Sequence, residues 1–459
     1  MQLVKQRSEQ KNSAAAEESV AEARAVSSVL ASATCALLSA IPTHAMAEGV
    51  PGEWDFDVAG LFYAESDDRV MAIEPVFSAT RNFDEGEALN FKATFDMLTG
   101  ASPNGATPSD SLQTFTRPSG SSDYVVEAND APLDDTFKDT RVALSSTWSA
   151  PINRDWAYSA GVYGSTEYDY FSFGVNGGLT HYMNNKNTEL NLGLSLEQDE
   201  IEPVGGAPKP LAAMPHRSSP SFEADRAAAK DGNDSKTVLD LLVGVTQVIN
   251  KNTIMQFNYG LGMADGYLND PYKMLSVIDD AAGANYGGNA TDSNGNYIYL
   301  YEARPDSRMK HSLYWQTKHA LESGDIIDLS YRFMLDDWGI NSSTLEASYQ
   351  WRFTDSYIEP YFRYYMQSEA DFYKRFVTAS EYNNGSPTLT EASSDYRLAE
   401  MTAYTLGAKY GFRLGEGEAN VRLSYYMQSN DGDQGFGKLT SQDLYPDMSA
   451  MMLTFGYSF

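Results

Sequence analysis

Met451-Met452-Leu453-Thr454-Phe455-Gly456-Tyr457-Ser458-Phe459 closes the chain, and its alternation decides how the rest is read. Counting back from Phe459, every second residue is large and apolar: Tyr457, Phe455, Leu453, Met451. Ser458, Gly456 and Thr454 between them are small or polar, with Met452 the one exception. A period of two with an aromatic face is a half-buried strand. A last strand ending on Phe is how bacterial outer-membrane barrels usually close, because the insertion machinery reads the terminal aromatic. A soluble edge strand can end the same way, so the remaining sequence has to decide.

The same alternation recurs. Strands are expected near 54–65, 69–82, 87–98, 140–151, 156–168, 170–183, 188–201, 237–249, 253–265, 308–320, 326–336, 342–353, 357–370, 400–414, 419–428 and 448–459, sixteen in all. Leu190, Leu192, Leu194 and Leu196 set against Asn191, Gly193, Ser195 and Glu197 give the cleanest example. The connections argue more strongly. Every even one is tight and built of Asn, Asp or Gly, as in Asn184 to Asn187, Glu322-Ser323-Gly324 and Gly415-Glu416-Gly417, the residues that permit hairpin reversal. All the long ones are odd: 99–139, 202–236, 266–307, 371–399 and 429–447. Short turns on one rim and long loops on the other mark an outer-membrane barrel. The fold class is therefore all-β, a transmembrane antiparallel up-and-down barrel of about sixteen strands, with both termini periplasmic.

Mean hydropathy is −0.42, and beyond the N-terminus nothing approaches the ~18 apolar residues of a membrane helix. Residues 1–47 read as a signal peptide: Lys5, Arg7, Lys11 and Arg24 around and before an apolar stretch from Val26 to Ile41, then the A-x-A site Ala45-Met46-Ala47. Residues 48–459 are the barrel, and the expected location is the cell outer membrane of a Gram-negative bacterium. Cys35 goes with the leader, so no disulfide, thiol or Cys-metal chemistry is expected of the mature chain. A net charge of −30 argues against nucleic acid.

With lipid outside, the polar set must face the lumen. The candidate lumen-lining residues are Lys92, Asp96, Asp328, Arg332, Glu346, Arg352, Glu359, Arg363, Lys409, Arg413 and Arg422, with Lys310 and Lys318 on the same face. Two readings stay open: a ladder of pairs that holds the barrel's shape, or a cationic track for an anion. Trp54, Trp156, Trp351 and Tyr357 near the periplasmic ends, and Trp338 and Tyr267 near the outer ends, are expected as interfacial girdles. Pro75 and Pro360 fall inside strands, where a bulge is expected.

Motifs for chemistry are sparse. His181, His216, His311 and His319 form no constellation with a nucleophile; His311 and Ser312 are strand neighbours on opposite faces, and Ser218 and Asp225 share a loop with His216. Asp431 to Gly435 and Asp292 to Asn296 superficially match calcium-loop fragments, but both lack the distal bidentate Glu. No phosphate loop, dinucleotide fingerprint or repeat beyond hairpin periodicity stands out. No catalytic, cofactor-binding or metal-binding residue is assigned, no cofactor is expected, and the chain reads as a non-enzyme.

Three loop phrases carry a family resemblance: Leu98 to Ala106, Thr114 to Gly120, and Pro132 to Phe137 running into Asp139-Thr140-Arg141; Tyr168-Asp169-Tyr170 and Glu202 to Gly206 also fit. From about Trp54 to Phe459 the chain resembles the family known as domain of unknown function 3570, exported outer-membrane barrels without an established activity. The resemblance implies outer-membrane lipid and the barrel insertion machinery as partners. It also implies periplasmic redox partners, a thioredoxin-like protein and a flavin transferase among them, and no catalytic residue. The first expected function is a passive pore or transport channel of unknown solute. The alternative is a non-conducting scaffold for periplasmic redox or flavinylated partners. Loop 99–139, stiffened by Pro103, Pro108, Pro118 and Pro132, is expected to fold over or into the lumen, with Arg117, Pro118, Asp134 and Asp135 as its candidate residues. If the lumen is open, Lys92, Arg332 and Arg363 predict a weak preference for anions, with Asp96 and Asp328 opposing it.

Overall fold

The computed structural model describes residues 52–67 and 69–459, without the side chains of 135–137. The expected signal peptide, residues 1–47, lies outside the described residues. In chain order the strands are β1 (Trp54–Glu65), β2 (Met71–Asn82), β3 (Ala88–Pro103), β4 (Gln113–Thr116), β5 (Asp123–Val126), β6 (Leu133–Asn153) and β7 (Trp156–Thr166). They continue as β8 (Tyr170–Met183), β9 (Thr188–Ile201), β10 (Asp234–Asn250), β11 (Thr253–Gly266), β12 (Met274–Ile278), β13 (Tyr299–Tyr301) and β14 (Ser307–Ala320). The last are β15 (Ile326–Asp336), β16 (Asn341–Arg352), β17 (Ser356–Gln367), β18 (Val377–Thr378), β19 (Glu400–Leu414), β20 (Gly417–Asp431) and β21 (Met448–Ser458). Helix α1 (Phe222–Ala229) precedes β10, and α2 (Ala379–Tyr382) follows β18.

All of these except β4, β5, β12, β13 and β18 form one closed sixteen-strand antiparallel barrel. Closure is the pairing of β21 with β1, running from Asp57↔Ser458 to Glu65↔Ala450. Phe459 stacks on Phe56 at 5.5 Å just beyond the seam. The period-two pattern sorts faces as the sequence requires. Leu190, Leu192, Leu194 and Leu196 all lie exposed on the outside, while Asn191 and Ser195 pair inward with Gly244 and Asp240. Reversal on the short rim uses left-handed backbone where Asn and Gly tolerate it: Asn184 and Asn185 at φ 52° and 56°, Gly324 at 90°.

Three expectations are corrected. First, β3 and β6 run past the expected ends at 98 and 140, so Thr99↔Lys138 and Ser102↔Asp134 are ladder pairs rather than loop. The turn-like phrase Gly100-Ala101-Ser102 is absorbed by a register shift there. Gly100 takes φ 128° against Arg69 O, which a Cβ would meet at 2.1 Å. Second, neither Pro75 nor Pro360 carries a bulge. Ile73↔Met97 and Val76↔Thr94 keep one register across Pro75, as do Ser348↔Tyr361 and Trp351↔Ile358 across Pro360. Each proline forgoes ladder bonding toward one neighbour and stays in register with the other, opposite Gly60 and Ala408. Third, the girdle is smaller than expected. Trp54 and Trp351 face outward; Trp338 is only 4% exposed, and Tyr267 is buried as well. Trp338 packs in the loop layer, its Nε1 donating to Ser307 O at 2.8 Å under the Arg308 guanidinium. Tyr357 turns into the lumen, where Gly411 leaves room beneath its ring.

The face assignment makes a direct prediction. Leu194, at the middle of β9 and 53% exposed, faces hydrocarbon, whereas Ser195 beside it faces the lumen opposite Asp240. Leu194→Arg is expected to cost about 2–4 kcal/mol in reversible unfolding from lipid bilayers. Ser195→Arg is expected to cost far less. Equal costs would show the two faces to be misassigned.

Candidate functional site

All eleven candidate lumen residues occupy the inward parity of their strands, opposite the exposed Phe91, Leu329, Leu345, Phe362, Leu406 and Leu423. Most of their charge is paired. Lys318 lies 3.2 Å from Asp328, and Arg363 3.4 Å from Glu346. Glu359 takes both Lys409 at 3.1 Å and Arg422 at 3.4 Å, and Arg141 neutralises Asp96. Arg332 instead lies over the Tyr314 ring, 5.3 Å from its centroid. Arg352 and Arg413 stand exposed near the short-turn rim. Of the cations expected to form a ring, Arg363 is thus neutralised across the ladder, and Arg332 keeps its charge.

Sequence reading missed the tyrosines beside these pairs. Tyr361 donates to Glu346 at 3.1 Å under the Arg422 guanidinium. Tyr365 and Tyr426 each donate to the inward amide two residues on, Gln367 at 2.5 Å and Gln428 at 2.7 Å. Their signal was a five-residue repeat, Tyr-Tyr-Met-Gln-Ser at 364–368 and again at 425–429, which corrects the expectation of no repeat. In both copies the second Tyr and the Gln face inward and the Met faces out. The wall across the lumen is bare. Gly178, Gly193 and Gly260 follow one another around Leu242 in the register, and Leu242 is 44% exposed although it points inward. The lumen beside it is hollow.

The long connections close over this hollow. Loop 267–306 leaves β11, ninth in the barrel order, and reaches the end of β3, third in that order. Met274 N donates to Asn104 O at 2.8 Å, and Lys273 Nζ bonds Pro103 O. Tyr272 OH reaches Asp169 on a third loop at 2.7 Å. Arg375 ties two more together: Nε to Leu444 O at 2.8 Å, Nη1 to Gly105 O at 2.6 Å and Nη2 to Ala106 O at 3.1 Å. Strand β18 extends the sheet of β13 and β12 through Val277↔Val377. The layer has its own core, in which Phe115, Tyr124, Met214, Tyr299 and Tyr301 come from three loops.

The layer holds a cluster of six charges, three of each sign, of which Lys273, Glu302 and Asp395 are buried and Asp270, Arg304 and Arg397 partly so. Arg397 Nη2 sits 2.7 Å from Asp270 and also pairs with Asp395; Arg304 bridges Asp395 at 2.8 Å and Glu302 at 2.6 Å. Lys273 completes the set, and Ser393 Oγ donates to Glu302 at 2.5 Å. Burial alone would raise the Asp395 carboxyl, but the Arg397 and Arg304 guanidinium groups outweigh it and hold it well below the usual carboxylate range. Burial pushes the Lys273 amine down and the Glu302 carboxyl up.

The candidate loop residues sit in this layer. Arg117 pairs with Asp134 at 3.2 Å and lies over Tyr124, while Pro118 O accepts from Lys230 at 3.0 Å. The Asp135 side chain lies outside the described residues. His216 Nε2 is 2.6 Å from Tyr297 O, Ser218 bonds Asn296, and Asp225 accepts from Ser221, so these three do not meet. His311 and His319 bond Tyr259 and Thr253. The Asp292 carboxylate accepts from the amides of Asn294 and Asn296 in its own turn, and no cluster of three metal-type ligands occurs among the described residues.

Removing one anion from the six should unlock the layer. Asp395→Asn leaves two guanidinium groups short of charge and is expected to cost about 3–5 kcal/mol. The measured effect is faster hydrogen exchange in loops 267–306 and 368–399, with the barrel strands unchanged. Because the Asp395 value is depressed, its contribution is present above the unfolded value near ~3.9 and lost only as pH falls through the lower folded value. Native protection of these loops should therefore persist to about pH 4.

Among solved structures, a bacterial polysaccharide outer membrane secretin overlaps at a TM-score of 0.41 and 12% identity, over 90% of this chain and 99% of that one. A CymD monoaromatic hydrocarbon channel gives 0.36 and 9%, over 89% and 88%. The outer membrane protein opdK from Pseudomonas aeruginosa gives 0.35 and 10%, over 88% and 98%. Likeness of this degree says nothing of what crosses the barrel. No curated protein matches the sequence. The model of one family, described as protein of unknown function (DUF3570), matches residues 27–459, and the chain belongs to that family.

Proposed function

We propose that this protein is an outer-membrane conduit whose lumen is closed to free diffusion on the long-loop side by its folded loop layer. One observation carries the reading: a hollow, polar lumen lies beneath a mouth bridged by main-chain bonding between Met274 and Asn104. A solid plug would bury Leu242 and the half-exposed Arg363, and an open porin would leave its loops apart. Binding and passage are the proposed chemistry; catalysis is not. The extent of the bonded layer also favours a second reading, a non-conducting scaffold for periplasmic redox or flavinylated partners.

Planar-bilayer recording separates these. The native protein is expected to show no steady large conductance. Replacing residues 272–303 by a short Gly-Ser linker should produce a persistent open state, since the sixteen-strand wall remains. With Asp328, Glu346 and Glu359 offsetting Lys318, Arg363, Lys409 and Arg422, reversal potentials of that open state should favour anions only weakly. A native protein that conducts steadily would restore the passive-pore reading; a linker variant that stays silent would favour the scaffold.

A further inference from the structure

The phrases that carry the family resemblance converge on one cavity. Ser102, Pro103, Asn104, Thr116, Pro118 and Asp134, all from those phrases, line a space of about 30 Å³ closed by α1's successor Lys230 and by loop 267–306. That volume holds about two water-sized centres.

Its charges do not cancel. Lys230 is 9% exposed, spends one donor on Pro118 O at 3.0 Å and lies over the Tyr301 ring at 5.5 Å. No carboxylate comes within ion-pair distance of it among the described residues. The one acid on the wall, Asp134, is bonded to Arg117, and Lys273 is matched within the six-charge cluster. Arg226 on α1 adds a second cation beside Lys230. Burial, then Arg226, push the Lys230 amine down to about 7. Thr116 supplies an independent sign: it lines the cavity, and its buried Oγ1 has no hydrogen-bond partner among the described residues. A buried ammonium without an acid and a buried hydroxyl without an acceptor, sharing one small cavity, are complementary to one ligand chemistry.

We propose that this cavity binds a small monovalent anion of halide or formate size, held by Lys230 and Thr116, which pins loop 104–132 to loop 202–233. The single buried ammonium matches one negative charge, and a water leaves it uncompensated. The proposal does not depend on whether the barrel conducts.

Chloride-35 line width, measured on the full folded protein in chloride-containing buffer below pH 7, where the Lys230 amine carries its charge, tests it. Native protein should give excess broadening that bromide and formate displace and sulfate does not. Lys230→Met, and separately the near-isosteric Thr116→Val, should return the line width toward that of protein-free buffer, with the folded barrel verified by heat-modifiable gel mobility. If Lys230→Met disturbs the loops, Thr116→Val alone decides. No excess in the native protein would mean a water-filled cavity and overturn the proposal. Excess unchanged in Thr116→Val, or displaced equally by sulfate, would place the anion on surface cations and overturn it as well.

Discussion

In hydrocarbon an unpaired peptide group costs several kcal/mol, so every strand must find both neighbours. That constraint governs this molecule from the seam outward. Strand β21 completes the ring by pairing with β1 over nine positions, and only then does no edge remain. Once the ring is closed, period two assigns every side chain to lipid or lumen, and the register fixes which lumen residues meet. Glu359 receives Lys409 from one neighbouring strand and Arg422 from the next because β17, β19 and β20 cannot slip without turning their leucines inward. The prolines obey the same rule. Pro75 and Pro360 survive inside strands because each keeps one ladder in register.

Beyond the membrane the constraint changes. Loops in water are free to stay apart, and these do not. Their packing uses two devices of different strength. Apolar burial, as around Phe115 and Tyr299, rewards contact without fixing geometry. The six-charge cluster does the opposite. Burying an ion costs several kcal/mol unless its partner is placed well, so Asp395 between Arg304 and Arg397 tolerates one arrangement of loops 267–306 and 368–399 and penalises others. The lumen pairs have no such leverage. Arg363 and Glu346 are each more than a third exposed, and water screens them.

The sequence made the barrel legible because its evidence is local: alternation within one strand, and Asn or Gly within one turn. All sixteen barrel strands lie where alternation placed them, with β3 and β6 longer than expected. The loop layer was illegible for the opposite reason. Met274 meets Asn104, and Arg375 meets Gly105 270 residues away, through contacts that leave no period behind. Trp338 and Tyr267 misled for a related cause: a strand-end aromatic reads as a girdle until a loop core exists to receive it. Which wall cations find a partner was illegible because pairing depends on cross-strand register, which is not set by either strand alone. The Tyr-Tyr-Met-Gln-Ser repeat was in plain view, but only the inward parity of β17 and β20 gives it meaning.

These features bear on where selectivity resides. A net charge of −30 invites the idea of a cation-selective pore, yet Asp96, Asp328, Glu346 and Glu359 on the wall are each paired with a cation and the six-charge cluster is neutral. Acids such as Glu85, Asp155, Glu322 and Glu416 sit on exposed turns, where salt screens them beyond about 8–10 Å. The bare glycine wall around Leu242 imposes little chemistry of its own. In the proposed conduit, what would distinguish one solute from another is the layer above the lumen: the loops that would have to part, and the charged residues that parting would expose. Arg397 meets Asp270 and Arg304 meets Asp395 across the junction of loops 267–306 and 368–399, with Glu302 and Lys273 beside them. Separating those loops would line the opening with three acids and three bases at close quarters. A conduit gated there discriminates by what can replace those pairings, and the width of its barrel is secondary.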